Sequence, residues 1–303
     1  MKLYAPKYYT EFKCIADRCT HSCCIGWEID IDPVTVQKYS TLKQAYADTV
    51  RGSIEYGDTP HFKLEAHDRC PHLNSKNLCN IILSLGEDCL CDICREHPRF
   101  YNDSALGREV GLGIACEEAC RIVLSSDDYS LIPVGEICDD ACEAEYDTVT
   151  CRERIYSILS DTSLSHSDKL TKIQSEFRIS VDCISDAEAR DLIDSFEFLD
   201  EDRRESFKMY SSKAKLDASF DRTLDHLLAY FVFRHCTEEC DASTYRAALG
   251  MCLFLERLFV SVALSENAYD EGALISIARM ISEEIEYSES NTESIKLEFL
   301  FRQ

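Results

Sequence analysis

Glycine and proline are scarce in this chain, and their scarcity excludes several architectures. The 303 residues include 10 Gly, 6 Pro and 1 Trp. Few glycines or prolines interrupt the second half of the chain, which favours helices over turn-rich β structure. The glycine-rich turn that opens an ordinary nucleotide-binding fold is also missing. The one glycine-dense stretch, 107–113, is interpreted as a turn beside the cysteine-rich segment.

Long hydrophobic runs are lacking as well. No apolar run reaches the roughly 18 residues that cross a bilayer, and the longest, 247–264, is interrupted by Glu256 and Arg257. It predicts a buried amphipathic helix and no membrane contact. The start, MKLYAPKYYTEFKC, has no apolar segment behind a basic one, so no export signal is visible. We therefore expect a cytoplasmic protein whose thiols stay reduced.

Basic residues are few relative to acidic ones. The chain has 32 Lys and Arg against 56 Asp and Glu, a formal net charge of −24. Such a charge repels nucleic-acid phosphates and anionic membranes, which argues against both as partners. A lysine-bearing protein surface would be attracted, although acidity is also a common route to solubility.

Cysteine, by contrast, is abundant and concentrated near the N-terminus. Eleven of the 18 cysteines lie in the first 120 residues, and the first four form the pattern Cys14-x4-Cys19-x3-Cys23-Cys24-x2-Trp27. Thiolates are soft ligands that suit zinc, copper(I) and iron–sulfur clusters. A disulfide framework is disfavoured, because a chain of this length can build an apolar core without disulfide cross-links. The pattern predicts a metal-organising N-terminal region.

The spacing leaves the metal open between zinc and an iron–sulfur cluster. Cys91-x2-Cys94 is a pair of the kind found in zinc sites, but no second C-x2-C pair accompanies it. The adjacent Cys23 and Cys24 point apart in an extended backbone, which fits ligation of different metal atoms or different sides of a cluster. Neither common ferredoxin pattern is reproduced.

The residues around these thiols resemble the flagellin lysine-N-methylase family over positions 8–120. The matching blocks are Phe12-x-Cys14-x4-Cys19-x3-Cys23-Cys24-x-Gly26-Trp27, Cys70-Pro71-His72-Leu73, Leu78-Cys79-x-Ile81, Leu85-Gly86, Leu90, Cys94-Arg95-x2-Pro98-Arg99 and Cys116-Glu117-Glu118. A later segment, 228–235, resembles a helix in the C-terminal part of that family. The chain departs from the wider C-x2-C-x2-CC group by its x4 and x3 spacing.

The resemblance implies transfer of a methyl group from S-adenosylmethionine to lysines of flagellin, by a protein that carries an iron–sulfur cluster, expected to be of the [4Fe–4S] type. Carried over position by position, the implied metal ligands are Cys14, Cys19, Cys23, Cys24, Cys70, Cys79, Cys94 and Cys116. Eight thiols suffice for two four-ligand centres, or for one cluster and a structural zinc. Cys89, Cys91 and Cys120 fall outside the pattern and are interpreted as ordinary buried thiols.

Charged residues beside the thiols are further candidates. Arg99 is predicted to pair with the carboxylate of S-adenosylmethionine, since a guanidinium suits bidentate pairing; the alternative is an arginine that caps carbonyl groups. His67 and His72 flank Cys70 but are kept out of the ligand set. Glu117 and Glu118 either approach a substrate lysine or begin a solvated helix.

The last cysteine candidates lie late in the chain. Cys236 and Cys240, beside His235, form a weak further metal motif, because a site there needs two more ligands from elsewhere.

The predicted fold is mainly α, with a cysteine-rich metal-binding region at 1–125 that contains short β pieces, followed by a helical bundle at 126–303 packed with it as one architecture. Strands are expected at 27–31 and 61–65, and a helix from Asp32-Pro33 to Tyr39. Apolar residues at three- and four-residue intervals predict seven later helices: 151–160, 167–177, 186–199, 220–235, 244–264, 270–288 and 292–301.

Two kinds of function therefore stand side by side. The first is a methyltransferase with an iron–sulfur cluster. The second is a non-catalytic iron- or zinc-binding protein that stores, delivers or senses metal, or a zinc-stabilised adaptor.

Overall fold

We describe residues 2–126, 128–136, 146–237 and 241–302 from a computed structural model of the chain. The strands are β1 (Lys2–Pro6), β2 (Ile54–Glu55), β3 (His61–Phe62), β4 (Arg99–Ser104), β5 (Gly107–Leu112) and β6 (Leu131–Glu136). The helices are α1 (Pro33–Thr41), α2 (Ala47–Gly52), α3 (Asn80–Leu85), α4 (Asp92–Glu96), α5 (Glu117–Ser125), α6 (Thr148–Leu159), α7 (His166–Phe177), α8 (Asp186–Asp194), α9 (Arg204–Phe207), α10 (Asp221–His235), α11 (Ala242–Ser265), α12 (Glu271–Ile281) and α13 (Glu289–Phe301). The protein is mainly α, as predicted.

The chain forms two compact units. The cysteine-rich unit comprises Lys13–Arg99 and Cys116–Glu118, and the helical unit comprises Met1–Phe12, Phe100–Ala115 and Ala119–Gln303. The division at residue 125 that we drew from cysteine content stays a prediction.

The cysteine-rich unit has its own small core. Strands β2 and β3 pair antiparallel, and an isolated bridge joins Asp30 to His61. The expected strand at 27–31 is thus reduced to the single bridge at Asp30, and the one at 61–65 to two residues. Helix α1 begins as predicted, with the Asp32 carboxylate accepting from the Thr35 N–H at 2.8 Å. Its other oxygen accepts from the Asp92 N–H at 3.0 Å, which ties α1 to α4.

The helical unit contains a four-stranded mixed sheet in the order β4-β5-β1-β6. Strand β1 runs parallel to β5, with Leu3 opposite Arg108, and antiparallel to β6. The prediction of a turn at 107–113 was wrong, because residues 107–112 form β5 and bury Val110 and Leu112 completely. Gly111 is required there for close packing: a Cβ at this position would lie 2.3 Å from Cζ of Phe100.

The periodic segments of the second half form helices, as predicted. Two boundaries differ. Helix α8 ends at Asp194 because side chains supply alternative acceptors for the backbone N–H groups that follow. The Glu197 N–H donates to the Asn291 side-chain oxygen, and the Leu199 N–H donates to the Glu284 carboxylate. The helix expected at 270–288 is α12 followed by a π-helical turn, Ser282–Glu286.

Helix α11 is the central element of the helical unit. By length and composition alone it is apolar enough to cross a membrane, but 89% of its most apolar window is buried inside the structure. Most of its residues from Tyr245 to Ala263 are buried. This agrees with the interpretation of 247–264 as a core helix.

Candidate metal centre

All eight thiols implied by the resemblance lie in the cysteine-rich unit. None of the described cysteines is joined in a disulfide. Their surroundings differ, and their neighbours divide them into two sets.

The first group, which we call the inner thiol set, surrounds the core of this unit. Cys70 and Cys91 are 5% and 1% exposed, and the partly buried Cys24, Cys79 and Cys94 pack against the same hydrophobic cluster. The thiol of Cys70 interacts electrostatically with those of Cys24, Cys79 and Cys91. Burial raises the pKa of Cys70, a hydrogen bond from the His72 backbone lowers it in part, and the neighbouring sulfurs raise it further. The inner thiol set is Cys24, Cys70, Cys79, Cys91 and Cys94.

Backbone pairing positions the inner thiol set. The Cys70 N–H donates to the Cys24 carbonyl at 2.9 Å, and Leu73 forms an isolated bridge with Cys79. The Arg69 guanidinium donates to the Leu73 carbonyl at 3.2 Å and to the Asn74 carbonyl at 2.8 Å, which closes the loop between Cys70 and Cys79.

The second group, the outer thiol set, is more accessible. It consists of Cys14, Cys19, Cys23 and Cys116, of which Cys14 and Cys23 are exposed and the others half-buried. Cys23 interacts electrostatically with Cys116 and Cys14, and Cys19 with Cys116. A loop near the N-terminus thus meets a cysteine about a hundred positions later.

Cys23 and Cys24 join the two sets. Their sulfurs are in hydrogen-bond contact, which lowers the pKa of Cys24 to about 7 and raises the pKa of Cys23. A hydrogen bond from Ser22 and the nearby Arg69 charge also lower the pKa of Cys24. One thiolate of the pair is therefore available near neutral pH, the form that binds metal.

The three cysteines outside the family pattern have different positions. Cys91 lies in the inner thiol set, and its side chain contacts the sulfur of Cys94. In the sequence, the C-x2-C spacing of this pair was the only signal for such a role. Cys89 is buried in the same core, with its sulfur 3.5 Å from the Leu85 carbonyl oxygen. Cys120 belongs to the helical unit and points its sulfur at the Ile275 carbonyl oxygen, 3.7 Å away.

Neither histidine beside Cys70 is placed as a metal ligand. Both ring nitrogens of the fully buried His72 are engaged, Nδ1 with the Tyr46 hydroxyl at 3.0 Å and Nε2 with the Ser53 hydroxyl at 2.9 Å. Burial lowers the pKa of His72 to about 4, so the ring is neutral. His67 is exposed, with a left-handed backbone at φ 61°.

Glu117 connects the loop of the outer thiol set to Cys116. Its Oε2 accepts from the Thr20 N–H at 2.8 Å, the Thr20 hydroxyl at 2.6 Å and the His21 N–H at 3.1 Å. Partial burial raises its pKa, but these hydrogen bonds outweigh it and leave the pKa below the usual value. Glu117 begins α5 as an ionised, hydrogen-bonded carboxylate, which makes it a poor proton acceptor for a lysine.

Arg99 is partly buried at the end of the unit, and its Nη1 lies 3.4 Å from the Arg95 carbonyl oxygen. That contact resembles the carbonyl-capping alternative. The predicted role toward the S-adenosylmethionine carboxylate stays a prediction.

A separate group of possible ligands lies on the surface of the cysteine-rich unit. Among the residues that the structure describes, Glu28, Asp30 and His61 are the one group of three whose ligand atoms all lie within 4.8 Å of one another. Both carboxylates are exposed, and His61 Nδ1 donates to the Thr59 carbonyl at 3.0 Å. The Nδ1 atom is therefore already used, and we assign no metal to this group.

The helical unit holds a buried polar network at the C-terminal end of α10. Tyr230 donates to Glu286 Oε2 at 3.0 Å, and His235 Nε2 lies 2.6 Å from Glu286 Oε1. Burial raises the pKa of Glu286, but the charge of Arg234 and the His235 hydrogen bond lower it to about 2. The network fastens α10 to the π-helical turn.

This network also bears on the late cysteine motif. His235 is engaged with Glu286, while the Cys236 sulfur lies 3.8 Å from that of Cys252. Cys240 lies outside the described residues.

Comparisons with known proteins support the motif resemblance. The chain is 29% identical over 133 residues to the flagellar biosynthetic protein FliU of Salmonella muenchen, a match that covers 41% of this chain and 77% of FliU. It is 29% identical over the same length to the lysine-N-methylases of Salmonella typhimurium and Salmonella choleraesuis, covering 41% of this chain and 32% of each. The match thus spans about a third of those two proteins. No family model and no solved structure matches. These relatives confirm the resemblance to the flagellin lysine-N-methylase family.

Proposed function

We propose that this chain is a protein-lysine N-methyltransferase that uses S-adenosylmethionine, acts on flagellin and carries an iron–sulfur cluster in its cysteine-rich unit. The observation that carries the proposal is the gathering of ten thiols in one unit of a chain whose relatives are named for lysine methylation and flagellar biosynthesis.

The donor set fits a cluster. All of its members are thiols, the ligands that iron–sulfur clusters use. Four sulfurs on one tetrahedral zinc, at about 2.3 Å from the ion, lie roughly 4 Å from one another. No three thiols in the described part of the chain are that close, since the only group within 4.8 Å is Glu28, Asp30 and His61. A wider spacing between the ligand sulfurs favours a polynuclear centre, because several metal atoms then lie between them.

The residues that would hold such a group are those of the inner and outer thiol sets. When bound, an iron–sulfur cluster supplies iron that changes oxidation state and accepts nitrogen or oxygen ligands. The residues of the chain supply the anchoring: Arg69 closes the loop after Cys70, and Glu117 fixes the loop that carries Cys19.

The reaction places simple demands on the protein. The lone pair of a neutral lysine Nζ attacks the sulfonium methyl, the carbon–sulfur bond breaks with its electron pair on sulfur, and the ammonium proton must already have left. Desolvation of the ammonium and alignment of both reactants are the work expected of the site. A net charge of −24 favours encounter with a lysine-bearing surface.

Purification under anaerobic conditions, followed by absorption spectroscopy and measurement of iron, zinc and acid-labile sulfide, tests the cofactor. We expect a brown protein with iron and sulfide. Calorimetric titration with S-adenosylmethionine then tests the methyl donor. A colourless protein with stoichiometric zinc and no binding of S-adenosylmethionine would contradict the proposal and favour the metal-binding adaptor.

A further inference from the structure

The division of the thiols into two sets has a structural basis beyond their electrostatic contacts. Every member of the inner thiol set belongs to or packs against one hydrophobic cluster, together with Ile31, Tyr39 and Phe62. A metal held there would be surrounded by core side chains. Its loss would leave buried thiols without ligation in the centre of a small core.

Hydrogen bonds around the inner thiol set support the expectation that a metal held there would be enclosed by the core. The Tyr39 hydroxyl donates to the Cys89 carbonyl at 2.7 Å, and Arg51 donates to the Tyr39 carbonyl at 2.7 Å. His72 is held between Tyr46 and Ser53. These contacts surround the inner thiols with buried or partly buried, hydrogen-bonded groups.

The outer thiol set has a different construction. Its cysteines lie in loops, and within the part of the chain that the structure describes none of them belongs to the buried core. Side-chain hydrogen bonds fix its geometry instead: the Cys19 sulfur donates to the His21 carbonyl at 2.7 Å and lies 3.6 Å from Glu117 Oε2. A metal held there would be open to solvent and to small-molecule ligands.

We propose that the cysteine-rich unit holds two metal centres rather than one, an exchangeable centre on the outer thiol set and a structural centre on the inner thiol set. Each set has at least the four thiols that a cubane cluster takes. Cys91 belongs to the structural centre, so the inner set has one thiol more than that minimum. Cys23 and Cys24 each serve a different centre. The proposal deepens the proposed function and rests on its metal, but its test does not use methyl transfer.

The test measures metal release from the full chain, purified anaerobically and reconstituted with ferrous iron and sulfide. Iron is followed during exposure to a hydrophilic chelator, and thermal unfolding is measured in parallel. For the unaltered chain we expect two phases: a fast one from the folded protein and a slow one that appears only as the chain unfolds. A single phase that contains all the iron would overturn the proposal.

Two double variants assign the phases. Cys14→Ser/Cys116→Ser leaves two outer thiols and should lose the fast phase, about half of the iron, with little change in the unfolding midpoint. Cys70→Ser/Cys79→Ser leaves three inner thiols and should lose the slow phase and lower the midpoint, because structural metal binding is coupled to folding. Cys89→Ala, a buried thiol of the same core outside both sets, is the matched control and should keep both phases.

The outcomes remain decisive if the inner variant fails to fold. The outer variant alone then tests the proposal, since retention of about half of the iron in its slow phase requires a second centre. Loss of all iron in the outer variant would show one shared centre and overturn the proposal. Either result is independent of whether flagellin is methylated, so failure here is distinguishable from failure of the methyltransferase assignment.

Discussion

Glu117 accepts two hydrogen bonds from Thr20, one from its N–H at 2.8 Å and one from its hydroxyl at 2.6 Å. Ninety-seven positions separate the two residues. Because Cys116 precedes this carboxylate and Cys19 precedes Thr20, the pair fixes the distance between two thiols of the outer thiol set. The geometry of that set thus depends on a residue that carries no sulfur.

Replacing Glu117 should therefore weaken metal binding without removing a ligand. We expect Glu117→Gln to lower the affinity of the outer thiol set by about 10- to 100-fold, the usual effect of losing a group that orients ligands. Competition with a chelator of known affinity measures it. Glu65→Gln, at an exposed carboxylate of the same unit, is the control. Equal affinities for both variants would contradict the role of Glu117.

A buried ion pair fastens the sheet of the helical unit to α6. Arg152 donates to both oxygens of Glu109, at 2.7 and 2.6 Å, and the two side chains are 3% and 0% exposed. Arg152→Ala should cost about 3 to 5 kcal/mol in the free energy of unfolding, since it leaves a buried carboxylate unpaired. Denaturant titration followed by circular dichroism measures this.

A double variant separates the free-energy cost of leaving a buried charge unpaired from the cost of lost packing. Glu109→Leu/Arg152→Met replaces both charges by apolar groups, so it should be more stable than Arg152→Ala alone. If the double variant lost as much free energy of unfolding as the two single variants together, the pairing of Glu109 with Arg152 would be contradicted.

His166 makes the stability of the helical unit depend on pH. Burial lowers its pKa, but hydrogen bonds to Asp225 at 2.8 Å and Glu256 at 3.1 Å outweigh burial and raise the pKa to about 9, while Lys169 neutralises the other oxygen of Asp225. Because the pKa of His166 in the folded state lies above the usual histidine value of 6.5, its contribution to stability is fully present below about pH 6.5 and is lost as pH rises through about 9.

This predicts a measurable decline. The free energy of unfolding should fall by up to about 3 kcal/mol between pH 6.5 and 9.5. The comparison is with His166→Gln, since thiols that titrate in the same range affect both proteins equally. Parallel pH profiles for the two proteins would contradict the assignment.

Gly250 allows α11 and α13 to approach closely. A Cβ at this position would lie 2.4 Å from the ring of Phe299. Gly→Ala within a helix normally stabilises by roughly 1 kcal/mol, but here we expect a loss of about 1 to 3 kcal/mol from overpacking. Gly272→Ala in α12, where the nearest atom is a side-chain oxygen at 3.4 Å, is the control. A stabilised Gly250→Ala variant would contradict the packing.

Helices were the most predictable part of the fold, because their periodicity is local. The end of α8 was not predictable, since Asn291 and Glu284, about ninety positions later, supply the competing acceptors. The 107–113 stretch was mistaken for a turn because its role in β5 depends on pairing with β1, a contact absent from local sequence.

The candidate site was predictable in composition but not in arrangement. The spacing of the cysteines pointed to the unit that carries them, and the resemblance selected eight. Cys91 was set aside because it falls outside the family pattern, and its interactions with the thiols of Cys70 and Cys79 join residues that lie apart in the sequence. The role of Glu117 was hidden for the same reason, since its partner Thr20 lies on a separate loop.

The most direct test of the account is methyl transfer to flagellin. Anaerobically purified, metal-loaded protein is incubated with S-adenosylmethionine and unmodified flagellin, and the mass of each lysine-bearing peptide is measured. We predict increases in steps of one methyl group that disappear in Cys23→Ser/Cys24→Ser and persist in Cys89→Ala. Flagellin of unchanged mass, with the protein fully loaded with metal and cofactor, would contradict the account.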